Sequence, residues 1–207
     1  METVDHPAKK SRLLPLLLLM LVFALPPLAG WVYFMNPHWL PSGRSNHGVL
    51  IHPPRPLHGM ALREPDGRPF DWGDYRNYWT LAVVSRGACA AKCQEQLVRA
   101  GQVLRAIGAS RTMVKQLVIL LPADVGAGAS AESKMASARL VQTTSESTAA
   151  AEELFELDRI DPEHTIFVIA PDGALMMRHD LTTTTPDEIL QDLETLLKAS
   201  QNWVKGG

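Results

Sequence analysis

Hydrophobic positions are distributed very unevenly along the chain. Leu13 to Phe34 is a leucine-rich run of 22 residues without a charge, long enough to cross roughly 30 Å of hydrocarbon as a helix. Asn36 to Leu57 then carries seven prolines or glycines, which remove backbone donors or favour irregular dihedrals, so an extended tether is expected over residues 35–57. Folded structure is expected over 58–201, followed by a short tail at 202–207.

Within that folded stretch the periodicities alternate. Met60 to Trp72 contains Pro65-Asp66-Gly67 and predicts a short hairpin. Trp79 to Ser85 is apolar, rich in β-favouring residues and too short for a buried helix, so it predicts a central strand. From Gly87 onward Cys89, Cys93, Leu97, Val103, Leu104 and Ile107 line one face of a helix that Gly108 stops. Met113 to Leu121 predicts a second buried strand. Helices are expected over Ser133–Leu140 and Ser145–Leu157, around a short strand at Arg139–Thr143. His164 to Ala170 reads as a third apolar strand, Pro171-Asp172-Gly173 as a turn, Ala174 to His179 as its hairpin partner, and Thr185-Pro186 as the cap and first turn of a closing helix that runs to Ser200. This order is that of an α/β, thioredoxin-like fold preceded by a single N-terminal transmembrane helix.

Charge gives the apolar run a direction. Lys9, Lys10 and Arg12 precede it and no basic residue follows before Arg44, so the excess of positive charge predicts a cytoplasmic N-terminus at residues 1–12 and an anchor at 13–34. The domain then lies on the outer, periplasmic side of an inner membrane, on a single-pass protein. Leu13 to Leu25 alone has the length of a signal-peptide core, but no Ala-x-Ala site follows, and either reading exports the rest. Over the whole chain 20 basic and 22 acidic residues nearly cancel and the basic ones are scattered, so nucleic acid is not an expected partner. No phosphate loop, dinucleotide fingerprint, serine elbow or His-Glu-x-x-His motif occurs.

Candidate chemistry concentrates in the two cysteines, Cys89 and Cys93. Two cysteines four residues apart are too few for a stapled mini-domain and fall at the strand-to-helix junction, the carboxyl edge where open α/β folds gather reactive groups. On a first helical turn the spacing puts both sulfurs on one face, where the helix start favours thiolate and a disulfide is within reach. The same two thiolates suit a soft ion such as Cu(I), with an imidazole to complete the site. Spacing alone leaves a redox pair, a metal pair and a structural disulfide all open. Arg86 and Lys92 flank the pair as candidate activating charges. His47, His52 and His58, with Met60, read as exposed linker residues, and Met177 shares a strand face with His179.

The segment Trp79-Thr80-Leu81-Ala82-Val83-Val84 leading into Cys89-x-x-x-Cys93, followed by His164-Thr165-Ile166 and Pro171-Asp172-Gly173, resembles the Sco (SenC) proteins over residues 50–200. In that family a membrane-tethered thioredoxin-like domain binds copper through two cysteines and a distant histidine and serves the dinuclear copper centre of cytochrome c oxidase. The resemblance implies that Cys89, Cys93 and His164 are the metal ligands, copper the ion, and an oxidase subunit or another copper-carrying or thiol protein the partner. It implies a metallochaperone or assembly factor, with a thiol-disulfide oxidoreductase or a metal-free scaffold as the alternatives. The family commonly has proline beside each cysteine, where this chain has Ala90 and Gln94.

Overall fold

The structure is a computed structural model and describes residues 13–36, 46–122 and 138–205. The chain divides into two compact units, Met1–Arg44 and Ser45–Gly207.

Among its described residues the first unit contains one helix, α1 (Leu13–Met35), which continues through Pro26 and Pro27. Its described side chains are apolar and almost all exposed, and it is long and apolar enough to cross a membrane. Asn36 closes it by donating both its backbone N–H and its side-chain amide to the Val32 carbonyl, each at 3.0 Å.

The second unit is built on a seven-stranded sheet. Its strands are β1 (Val49–Pro56), β2 (Leu62–Arg63), β3 (Trp79–Arg86), β4 (Val114–Leu121), β5 (Ala138–Thr143), β6 (Thr165–Ile169) and β7 (Ala174–Asp180). They lie in the order β1-β7-β6-β3-β4-β5-β2. β3, β4 and β5 are parallel, whereas β6 pairs antiparallel with β3, and β7 with β6. Among the described residues three α-helices accompany the sheet: α2 (Ala91–Ala106), α3 (Ser145–Leu154) and α4 (Pro186–Lys205).

The pleat sends alternate residues of the central strands into two cores. Leu81 and Val83 of β3 join Leu97, Val103 and Leu104 of α2 and Ile189, Leu193 and Leu197 of α4. Ala82 and Val84 join Leu117 and Ile119 of β4 and Phe155, which follows α3. Phe155 meets Phe167 of β6 edge to face, with ring centroids 4.9 Å apart. Because both faces are covered, β3 is buried from Trp79 to Ser85 and reads as a continuous apolar run rather than an alternating one.

Two stretches differ in element type from what their residues predict. Val49–Pro56, inside the predicted tether, is an edge strand antiparallel to β7. Pro53, Pro54 and Pro56 are tolerated there because an edge strand has donors that no neighbour needs. The helix expected over Ser133–Leu140 lies outside the described residues as far as 137, and residues 138–140 belong to β5, which pairs in parallel with β4.

The N-terminal end of β1 is tied to α4 by a buried carboxylate. Asp192, with a side chain only 1% exposed, accepts from the backbone N–H of His47 at 2.9 Å and of Gly48 at 2.8 Å, and its other oxygen lies 3.1 Å from His47 Nδ1. His179 of β7 is equally buried, with Nε2 3.9 Å from Asp192 and Nδ1 without a hydrogen-bond partner. A Cβ on Gly48 would sit 2.6 Å from the His179 ring and 2.8 Å from the Met177 sulfur, so only glycine allows this approach. Gly48→Ala is therefore expected to lower unfolding stability by about 1–3 kcal/mol, as overpacking does, measured by urea titration.

Burial pushes the His179 imidazole down from 6.5 to about 4, against the attraction of Asp192 and Glu188 and with some help from His47. Between those pH values the unfolded chain takes up a proton that the folded one refuses. Stability is therefore complete above pH 6.5 and falls as the pH drops towards 4, by about 3 kcal/mol from this group. Urea midpoints at pH 7 and pH 4.5 should differ more for the native chain than for His179→Gln; equal losses would assign the acid sensitivity elsewhere.

Candidate functional site

β3 is hydrogen-bonded on both sides, by β4 and by β6, so its carboxyl end emerges at the middle of the sheet rim. Gly87, at φ 80°, turns the chain there, and its amide donates to the Leu121 carbonyl at the end of β4 at 2.6 Å. Ser85 Oγ steadies the turn by donating to the Ala88 carbonyl at 3.3 Å. Ala90 then caps α2 in an extended conformation without a side-chain bond. The helix consequently starts at Ala91, later than the apolar spacing suggests, because positive-φ Gly87 and extended Ala90 keep the intervening residues out of it.

Cys89 thus precedes the helix and Cys93 is its third residue. They are still brought together, joined as a disulfide with Cα atoms 5.2 Å apart. The two sulfur-bearing residues differ in access. Cys93 is 4% exposed and packs in the α2–α4 core, while Cys89 is only partly buried at its margin. With no side chain capping the first turn, its amide groups are left to favour negative charge beside Cys89.

The flanking cations have other partners. Arg86 donates to the Leu157 carbonyl at 2.7 Å and lies 3.9 Å from Glu152, and Lys92 pairs with Glu163 at 2.8 Å. The Glu163 carboxylate holds the Lys92 ammonium more firmly protonated than usual. Neither is arranged as an activator dedicated to the sulfurs.

His164 lies at the end of a single 3-10 turn, Pro162–His164, just before β6. Asp161 organises this turn, accepting from the Glu163 amide at 2.9 Å through one oxygen and contacting His164 Nδ1 at 2.7 Å through the other. The His164 bond, then that from the Glu163 amide, holds the Asp161 carboxyl below the usual carboxylate range. The ring is 42% exposed, and with Nδ1 engaged, Nε2 is the nitrogen presented to a further partner.

The turn is fastened to the cysteine helix. Besides the Lys92–Glu163 pair, Gln96 of α2 donates through Nε2 to the Pro162 carbonyl at 2.7 Å and the Thr165 carbonyl at 3.0 Å. Among the described residues no three His, Cys, Asp or Glu side chains converge as they would around a metal ion. With the sulfurs bonded to each other, neither is a thiolate ligand in this form.

Two contributors escaped the sequence reading. Asp161-Pro162 is a cap-and-first-turn signal that identifies the His164 turn, and Gln96 is a polar residue one turn beyond Cys93 on an otherwise apolar face. Other residues are placed by packing: Met177 and His179 share the face towards α4, Met60 is buried, and His47 is held by Asp192.

A family model described as "Transmembrane-like, thioredoxin-like, C-terminal domain" matches residues 79–200. No curated protein matches the chain. Among solved structures, copper-bound Sco1 of yeast is 12% identical with a TM-score of 0.54, over 67% of this chain and 90% of that one. Copper-bound ScoI of Arabidopsis thaliana is also 12% identical at 0.54, over 68% and 96%. Apo Sco1 of Thermus thermophilus is 16% identical at 0.51, over 75% and 99%. At these identities the likeness is one of fold. The chain belongs to the family that this model describes, and it shares the fold of the Sco proteins that its motifs resemble.

Proposed function

We propose that this chain is a membrane-anchored, thiol-active assembly factor that carries copper for the dinuclear copper centre of cytochrome c oxidase. Cys89 and Cys93 are the sulfur ligands in the reduced state, and His164 is the third ligand through Nε2. The observation that carries this reading is the fastening of the His164 turn, by Gln96 and Lys92, to the helix that carries Cys93 and begins just after Cys89. Copper is cargo here. Two thiolates and an imidazole suit Cu(I), and Asp161 on Nδ1 is the kind of outer partner that orients a ligating ring. The α1 span holds the domain at the periplasmic face of the inner membrane, with Met1 in the cytoplasm.

The test is copper content of the detergent-solubilised full chain, reduced and loaded with Cu(I) under anaerobic conditions. Stoichiometric copper is expected for the native chain, with loss in Cys89→Ser, Cys93→Ser and His164→Ala. Asp161→Asn should weaken binding by about 10- to 100-fold, as loss of an outer-shell partner does. Unchanged copper in all of these variants would remove the residues from the site.

A second reading, a thiol-disulfide oxidoreductase, is favoured by the unequal exposure of the two cysteines. Here the Cys89 thiolate attacks a partner disulfide, forming a mixed disulfide and releasing one partner thiolate. Cys93 then attacks the Cys89 sulfur, releases the second partner thiolate and closes the Cys89–Cys93 bond. After reduction, iodoacetamide should label Cys89 well before Cys93, followed by mass spectrometry of the digest. Equal rates, or faster labelling of Cys93, would exclude this order of attack.

A further inference from the structure

Gln96 is 2% exposed, an unusual place for an amide on a helix whose other inward residues are apolar. Its orientation is set chemically. The two groups it meets across the gap, the carbonyls of Pro162 and Thr165, are both acceptors, so the nitrogen must face them. Oε1 is thereby turned away, and it is buried without a hydrogen-bond partner. A buried acceptor left without a donor is costly to the fold.

No donor meets it in the disulfide form. Cys93 stands three residues before Gln96, on the same buried side of α2. Residues so spaced have Cβ atoms about 5–6 Å apart, and helical side chains lean towards the N-terminus, which brings the Gln96 amide back over the Cys93 turn. In the bonded form Cys93 Sγ has no hydrogen to offer. Reduction adds one. The carbonyl one turn back, that of Cys89, already accepts from Gln94 Nε2 at 3.4 Å.

We propose that Gln96 is a positioning residue of the reduced site: Oε1 accepts a hydrogen bond from the Cys93 thiol, while Nε2 keeps the His164 turn clamped to α2. This rests on the reading of Cys89 and Cys93 as a pair that cycles between disulfide and dithiol. The bond exists only in the reduced form, so it stabilises that form.

The test uses the full chain in detergent, metal-free, oxidised or reduced with tris(carboxyethyl)phosphine. In infrared spectra of the reduced chain, the S–H stretch that disappears in Cys93→Ser should lie below the free-thiol position and move up to it in Gln96→Leu. The thiol-disulfide equilibrium of Gln96→Leu should shift about 2- to 10-fold towards the disulfide. Should Gln96→Leu fail to fold, the native chain still decides: the Gln96 side-chain amide resonances should shift on reduction, and should not do so in Cys93→Ala. A Cys93 S–H band already at the free position, or Gln96 resonances blind to reduction, overturns the proposal. Both readouts are taken without copper or partner protein. Failure of copper binding leaves them unchanged, and their failure leaves the copper result standing.

Discussion

The constraint on which the site depends is the complete enclosure of β3. It is paired along both edges and covered on both faces, by α2 and α4 on one side and by Phe155 and its neighbours on the other. A strand so enclosed cannot shift by one residue without sending Leu81 and Val83 to the wrong core. Its carboxyl end is therefore fixed at the rim, and with it the Gly87 turn whose amide is bound to the end of β4. The disulfide inherits its position from that anchoring. Cys93 is fixed a second time by packing in the α2 core, which leaves Cys89, only partly buried at the margin of that core, as the more accessible partner.

The enclosure also determines how a turn about seventy positions away is brought to the helix that carries Cys93. β6 pairs with β3 in antiparallel register, Val83 opposite Ile166. The residues leading into β6 must then arrive where those leaving β3 depart. Asp161-Pro162 shapes that arrival into one tight turn, and Gln96 and Lys92 attach it to α2. The His164 position is thus a consequence of sheet register and of two polar fastenings. Reduction of the Cys89–Cys93 bond would act on a junction already organised by those fastenings.

How much of this could be read from the residues follows from the range of the forces involved. Trp79–Ser85 and Met113–Leu121 were legible as buried strands because burial on both faces writes an unbroken apolar run. The cap at Thr185-Pro186 was legible because capping is local. Val49–Pro56 was not, since its pairing with β7 is decided by a partner about 125 residues away, and its prolines argue locally for a tether. The start of α2 was misplaced for a related reason: apolar spacing begins at Cys89, but Gly87 and Ala90 have conformations that periodicity does not encode. The cysteines were found by composition, whereas Gln96 and Asp161 act through contacts that only the fold supplies. The family model and the solved Sco folds agree with the α/β order read from the chain.

Among the described residues two buried side-chain polar atoms lack partners, Gln96 Oε1 and His179 Nδ1, and their surroundings distinguish them. His179 stands beside Asp192 and the close approach of Gly48, in a cluster that ties the first strand to the last helix. Its cost is borne in one state only, and acid makes it larger. Gln96 stands three residues from Cys93 and is bound to a turn, and the donor proposed for its free oxygen exists only after reduction. A leucine there would pack without an orphan, but it would lose the two bonds to Pro162 and Thr165 and would offer nothing to a thiol. A buried amide is the side chain that can hold the turn through one end while remaining open to a donor at the other. Its placement one turn from Cys93 is best understood if the protein must be stable in two oxidation states rather than one.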